Sequence, residues 1–253
     1  RADGFHNIES VFLPIQLADV VEIIDHTDFS LSVSGLAIDG DVKDNLCYKA
    51  FKLLQNEYAI PNVAVYLHKV VPMGAGLGGG SSNAAFILKL LNEKFKLGLN
   101  ASQRKSFALQ LGSDCAFFID NKACYAQGRG ELTSEIQLDL SMYKIMVVHP
   151  GIHVNTGWAY SQLTPKRSEV SLLDVLKKNI KDWNQHLTND FEAPIFLKYP
   201  EIKEIKETFY RHGAVYASMS GSGSAVYALF PATQQLTINF PDHYFRWEGN
   251  IIS

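Results

Sequence analysis

The sequence predicts an α+β chain in two parts, and three observations carry that prediction. Strand-like runs of β-branched and alternating residues fill the first third and feed a glycine-rich segment, Gly74-Ala-Gly-Leu-Gly-Gly-Gly-Ser-Ser82. Beyond Pro150 the texture changes to helical spacings joined by longer loops. A second small-residue loop, Ser218-Met-Ser-Gly-Ser-Gly-Ser224, then enters an apolar strand. Runs of strands and runs of helices kept apart in this way are the pattern of α+β proteins. The division is drawn near Pro150, giving parts 1–148 and 149–253.

Taken in order, 8–17 and 20–24 are rich in β-branched and apolar residues, and 29–38 alternates apolar with polar, as strands do. From Asn45 to Leu54 the spacing becomes helical, with Leu46, Ala50, Leu53 and Leu54 on one side. Val63 to Val71 alternates again and runs into the glycines. Ala84, Ala85, Leu88 and Leu91 stripe a helix over 81–94, with Ser81 or Ser82 able to cap its first turn. A helix over 102–111 ends at Gly112, followed by Asp114 and an apolar run, 115–119, that reads as a short strand. Tyr143 to Val148 is a buried-strand candidate. The later segments give helices over 172–180, 187–196 and 202–212, and a strand over 225–230.

Composition narrows the function. The chain has 253 residues, 47% hydrophobic and 19% charged, as globular proteins have. A net charge of −3 argues against a nucleic-acid partner. No apolar run approaches membrane-spanning length, so no membrane association is expected. Cys47, Cys115 and Cys124 lack paired spacing, which disfavours a disulfide framework or zinc site and points to a reducing cytoplasm. Only His149 and His153 stand four apart, and Pro150 and Gly151 between them prevent a helical metal pair. The chain opens at Arg1 without methionine, so residues before it are expected.

The glycine loop carries the chemistry. A phosphate needs several donors at once. Glycines let backbone N–H groups turn inward, and a helix starting there adds its positive dipole end. Ser81 and Ser82 add hydroxyls for phosphate oxygens or Mg²⁺. Gly74, Gly76 and Gly79 also satisfy the spacing of a dinucleotide fingerprint. Pro72 and the extra glycines fit that poorly, and no lysine supports a Walker loop.

The stretch from Pro72 to Ala85 resembles the ATP-binding motif of the GHMP kinases, and Met219 to Ser224 is similar to that family's third motif. Arg1-Ala-Asp-Gly-Phe-His6 resembles the R-x-D-G-Y-H stretch of the branch acting on 4-diphosphocytidyl-2-C-methyl-D-erythritol. Asp44-Asn-Leu46, Leu111-Gly-Ser-Asp-Cys-Ala-Phe-Phe118, Gly128-Arg-Gly-Glu131, Pro150-Gly-Ile-His-Val-Asn-Thr156 and Asn189-Asp-Phe-Glu192 follow in the matching order. The resemblance implies an N-terminal ribosomal-protein-S5-like domain and a C-terminal ferredoxin-like domain, with the active site in the cleft between them. It implies a kinase that uses ATP and Mg²⁺ to phosphorylate the substrate's 2-hydroxyl in non-mevalonate isoprenoid biosynthesis. The setting it implies is the bacterial cytoplasm, the protein being a monomer or homodimer.

Carried over residue by residue, the resemblance assigns Asp114 as catalytic. It assigns Asn45, Lys69, Pro72, Gly74, Gly76, Leu77, Gly78, Gly79, Gly80, Ser81 and Ser82 to ATP. To the substrate it assigns Phe5, His6, Thr156, Tyr160, Gly221, Ser222 and Gly223, with His6 reading cytosine and Tyr160 closing an aromatic sandwich on the base. Phe5 stands where the family has tyrosine, and Ala116 where it often has proline. The family's catalytic lysine lies in an A-K-x-N-L segment upstream of the R-x-D-G-Y-H stretch, and no residue from Arg1 onward matches it. Three other readings stay open: a homoserine- or mevalonate-type GHMP kinase, a dinucleotide-binding oxidoreductase, and a non-catalytic ATP-binding relic.

Overall fold

The computed structural model describes residues 6–165 and 170–252. The chain runs β1 (Ile8–Phe12), β2 (Val20–Asp25), β3 (Ser30–Gly35), α1 (Leu46–Tyr58), β4 (Val63–Lys69), α2 (Gly79–Lys94), α3 (Ala101–Leu111), α4 (Phe117–Asp120), β5 (Cys124–Gly128), β6 (Leu132–Glu135) and β7 (Tyr143–His149). It continues with α5 (Thr156–Ser161), α6 (Leu172–Leu176), α7 (Trp183–His186), α8 (Glu192–Lys198), α9 (Pro200–Arg211), β8 (Tyr216–Met219), β9 (Val226–Pro231) and β10 (Phe245–Gly249).

Three sheets result. In the first, β5 lies between β1 and β6, antiparallel to both. In the second, β4 lies between β2 (antiparallel) and β3 (parallel). A parallel neighbour needs a crossover, and α1 supplies it between β3 and β4. The third sheet has the order β10-β7-β9-β8, antiparallel throughout. Numbered from its own first strand this is the 4-1-3-2 order of ferredoxin-like sheets, with α8 and α9 in the first crossover. Among the described residues, 232–244 form no helix in the second.

The α1 and α2 stripes make the first core. Ala50, Phe51 and Leu54 from α1 meet Ala84, Ala85, Leu88 and Leu91 from α2 over Val63, Val65 and Leu67 of β4. Full burial of each such large side chain contributes about 1.5–3 kcal/mol, so this packing fixes where the N-terminus of α2 points. Ile195, Ile202, Ile205 and Phe209 form a second core against the C-terminal sheet.

Several expectations change. The helix expected from Ser81 begins two residues earlier, and its cap is Gly78 in the left-handed region (φ 69°) with no side-chain cap bond, so neither serine caps it. The run 115–119 is helical, a 3-10 turn over Ser113–Ala116 leading into α4, and Asp114 therefore sits at a helix entry instead of before a strand. The division after residue 148 cuts through β7, which pairs with β9 and β10. A boundary ahead of Tyr143 keeps that sheet whole. β5, β6, β8 and β10 carried no periodic signal, being short or mixed in character.

Candidate active site

One large cleft, about 1510 Å³, takes in both glycine loops, Asp114 and the aromatic residues around Tyr160. Its floor is the turn between β4 and α2. The first intrahelical bond of α2 runs from the Ser82 N–H to the Gly78 carbonyl at 2.9 Å. The N–H groups of Gly79, Gly80 and Ser81 therefore precede the helical ladder at the positive end of the dipole, where anions bind, and of these three residues Gly79 lines the cleft.

The second loop closes on the first. Ser220 Oγ donates to the Gly76 carbonyl at 2.8 Å, and the Ala225 N–H donates to the Ala75 carbonyl at 3.0 Å. Gly76 must be glycine: its φ is +76°, and a Cβ there would collide with the Ser220 carbonyl. Asn189 braces the second loop, its Nδ2 donating to the Met219 and Gly221 carbonyls at 2.8 Å each while its Oδ1 accepts from the Phe191 N–H. Glu192 completes the brace, accepting from the Met219 N–H at 2.9 Å and from Lys206 Nζ at 2.5 Å.

Behind the first loop, the Asp19 carboxylate gathers four donors: Lys69 Nζ, the N–H groups of Val70 (2.7 Å) and Val71 (2.8 Å), and Asn83 Nδ2 (2.9 Å). Burial alone would raise the pKa of Asp19, but these hydrogen bonds outweigh it and hold it below the ordinary carboxylate value.

Asp114 faces the cleft beside the β5–β6 turn, its Oδ1 lying 3.5 Å from where a Cβ on Gly130 would stand. It keeps accessible surface, yet the cleft walls crowd its carboxyl, and the lost hydration pushes its pKa up. Tyr160 lies close enough that its phenol pKa is raised, first by burial and then by the Asp114 charge. Its ring stacks on His6 (centroids 5.4 Å apart, planes at 28°) and meets Phe191 edge-on at 4.9 Å. Thr156, the first residue of α5, shares a hydrogen bond with Ser222 Oγ at 3.2 Å.

The structure thus brings together Gly74, Gly76, Leu77, Gly78, Gly79, Ser82, Asp114, His6, Thr156, Tyr160, Gly221, Ser222 and Gly223 around one cleft. It does not bring all the expected ATP residues there. Lys69 is enclosed in its pair with Asp19, its side chain 0% exposed. Asn45 caps α1, accepting from the Cys47 N–H at 2.8 Å. Ser81 is half-buried and does not line the cleft. Pro72 is buried, and neither it nor Gly80 lines the cleft. Phe5 lies outside the described residues. His6 and Tyr160 touch each other directly, which leaves no base-sized gap between them. Sequence reasoning missed Asp19, a single carboxylate between two strands, and gave Asn189 a motif but no role.

Comparison with known proteins agrees with this geometry. The family profile described as GHMP kinases N terminal domain matches residues 45–122, and that described as GHMP kinases C terminal matches 171–239. The chain belongs to the GHMP kinase family. A Bacteroides fragilis protein named 4-diphosphocytidyl-2-C-methyl-D-erythritol kinase is 46% identical over 241 residues, covering 94% of this chain and 88% of its own length. A solved 4-(cytidine 5'-diphospho)-2C-methyl-D-erythritol kinase superposes with a TM-score of 0.80 at 28% identity, over 99% of this chain and 92% of that one. The mevalonate kinase of Methanococcus jannaschii shares the fold, with a TM-score of 0.72 at 13% identity over 97% and 92% of the two chains. Like these GHMP kinases, the chain is α+β with a family domain at each end. No helix among the described residues is long and apolar enough to cross a membrane.

Proposed function

We infer that this protein transfers the γ-phosphoryl group of ATP to the 2-hydroxyl of 4-diphosphocytidyl-2-C-methyl-D-erythritol, in the cytoplasm of a bacterium. The observation that carries the reading is Tyr160. Its ring forms a stacking surface with His6, and its phenol feels the charge of Asp114. A flat binding surface for a base and a carboxylate able to take a proton therefore share one cleft with a phosphate loop. Relatives named for this activity, bacterial throughout the examples above 40% identity, support the choice of acceptor.

Phosphoryl transfer needs positioning and charge neutralisation more than covalent chemistry. The N–H groups at the start of α2 hold ATP phosphate oxygens, and the Ser220–Gly76 bond keeps the second loop beside them. Asp114 orients the acceptor hydroxyl and accepts its proton as the O–P bond forms. His6 and Tyr160 hold the cytosine. Mg²⁺ typically takes one or two carboxylates plus substrate phosphates and keeps several waters. The Ser82 hydroxyl, which lines the cleft at the start of α2, would be a protein ligand for such an ion, and the described residues contain no cluster of three metal-ligating side chains. When bound, the ion neutralises the β- and γ-phosphate oxygens.

The test is an ATP-dependent assay on the cytidylyl acceptor, homoserine and mevalonate, read by mass spectrometry of the product. Phosphorylation confined to the cytidylyl acceptor is expected. Equal turnover of homoserine or mevalonate would overturn the reading.

A further inference from the structure

We propose that His153 is a phosphate-binding residue of the cleft, a role that rests on the kinase reading above. Two substrates of that reaction bring several phosphate charges into one cavity. Yet none of the described residues lining the cleft is lysine or arginine, while Glu9, Asp19, Asp114 and Asp190 all line it. Lys69 lies behind the loop and is committed to Asp19. Among the described residues, the lining side chains that can carry positive charge are the imidazoles of His6, His153 and His186; His6 is already stacked on Tyr160, and of the other two it is His153 that meets a glycine of the phosphate loop.

His153 stands at the phosphate loop itself. Its Nδ1 lies 2.8 Å from where a Cβ on Gly74 would be, so Gly74, with φ +63°, gives the ring its place. It belongs to the connection between β7 and α5, whose next functional residue, Thr156, bonds Ser222 of the second loop. Among the described residues its ring nitrogens have no hydrogen-bond partner, unlike the Asp19, Asn189 and Glu192 side chains that build the loops. A neutral imidazole offers one N–H to a phosphate oxygen and an imidazolium offers two, with charge. The group bound is a phosphate oxygen, supplied by ATP or by the cytidine diphosphate of the acceptor.

Calorimetric titrations with ADP and, separately, with CDP decide both the role and the source. For His153→Ala, affinity for one of the two nucleotides should fall roughly tenfold or more, the range of a hydrogen bond to a charged group. The other affinity and the melting temperature should hold, and His153→Lys should recover much of the loss. Loss for ADP assigns the residue to the donor; loss for CDP assigns it to the acceptor. Unchanged affinities in His153→Ala, or parallel losses with a lowered melting temperature, overturn the proposal while leaving the kinase reading intact. A wild-type protein that binds neither nucleotide overturns both.

Discussion

The Asp19 carboxylate and the Lys69 ammonium pair behind the phosphate loop with side chains 2% and 0% exposed. Breaking such a pair from one side strands a buried charge, which costs about 3–5 kcal/mol. Asp19→Asn should therefore destabilise the protein by about that much in urea unfolding, and adding Lys69→Met to Asp19→Asn should recover part of the loss, because no buried charge is then unpaired while the amide oxygen still accepts from the Val70 and Val71 N–H groups. The pH dependence has a definite sign. The folded pKa of Asp19 is depressed, so its contribution is complete above the unfolded carboxylate value, near 3.9. It is lost as pH falls through the lower folded value. The acid limb of a melting-temperature profile should be shallower in Asp19→Asn; an equal slope would remove the pair from the account of stability.

Gly76→Ala tests whether the two glycine loops must touch. The added methyl would meet the Ser220 carbonyl at a residue with φ +76°, and neither backbone can yield without breaking the Ser220–Gly76 bond. Gly98 is the matched control, with φ +71° and nothing within 4 Å of an added Cβ. Gly98→Ala should cost about 1 kcal/mol from backbone strain. Gly76→Ala should cost more and weaken ADP binding at least tenfold, as read by thermal unfolding and calorimetry. Equal effects at the two positions would mean that loop contact is unimportant.

What the sequence made legible was local. The α2 stripe and the glycines before it marked the phosphate loop, and the Asn45 and Gly112 boundaries of α1 and α3 lie within a residue of expectation. Contacts between distant segments were not legible. Nothing near Asp19 announces that it will meet Lys69 and Asn83, because residue spacing encodes elements and not their partners. The resemblance assigns Lys69 to ATP, but a motif does not show that the carboxylate enclosing this lysine lies 50 positions away. β7 was read correctly as a buried strand and placed on the wrong side of the division, since sheet membership is set by its pairing with β9 and β10.

Asp114→Asn separates chemistry from binding. The amide keeps the shape of the side chain but cannot accept the acceptor's proton, so turnover should fall by about 10²–10⁴, with ADP affinity little changed. In the wild type, kcat/KM should fall with decreasing pH through a limb lying above the ordinary carboxylate value, since lost hydration in the cleft raises the Asp114 pKa of the free protein. The same shift means that the folded state holds this proton more tightly than the unfolded one. Its ionisation costs stability above the unfolded pKa, and Asp114→Asn should melt slightly higher at neutral pH. Near-wild-type turnover would sink the assigned role.

His6 and Tyr160 set the last prediction. Their centroids are 5.4 Å apart, whereas a base inserted between two rings needs about 7 Å, two carbon contacts of about 3.5 Å in series. Cytosine therefore cannot enter while the pair is closed. It either displaces His6 from Tyr160 or stacks on an outer face of the pair. Tyr160 also has Phe191 edge-on at 4.9 Å, whereas among the described residues the ring contact of His6 is Tyr160, so displacing His6 breaks fewer ring contacts. Base stacking on an aromatic side chain contributes about 1–3 kcal/mol. Tyr160→Ala and His6→Ala should each weaken CDP binding about tenfold or more on that scale, and leave ADP binding within twofold. Tyr160→Phe keeps the ring and should retain most CDP affinity, because the phenol's burial and its proximity to Asp114 already disfavour charge on it. Calorimetry with the two nucleotides on the three variants checks all of this; loss of ADP binding in step with CDP would show that the aromatic pair supports the fold instead of the base.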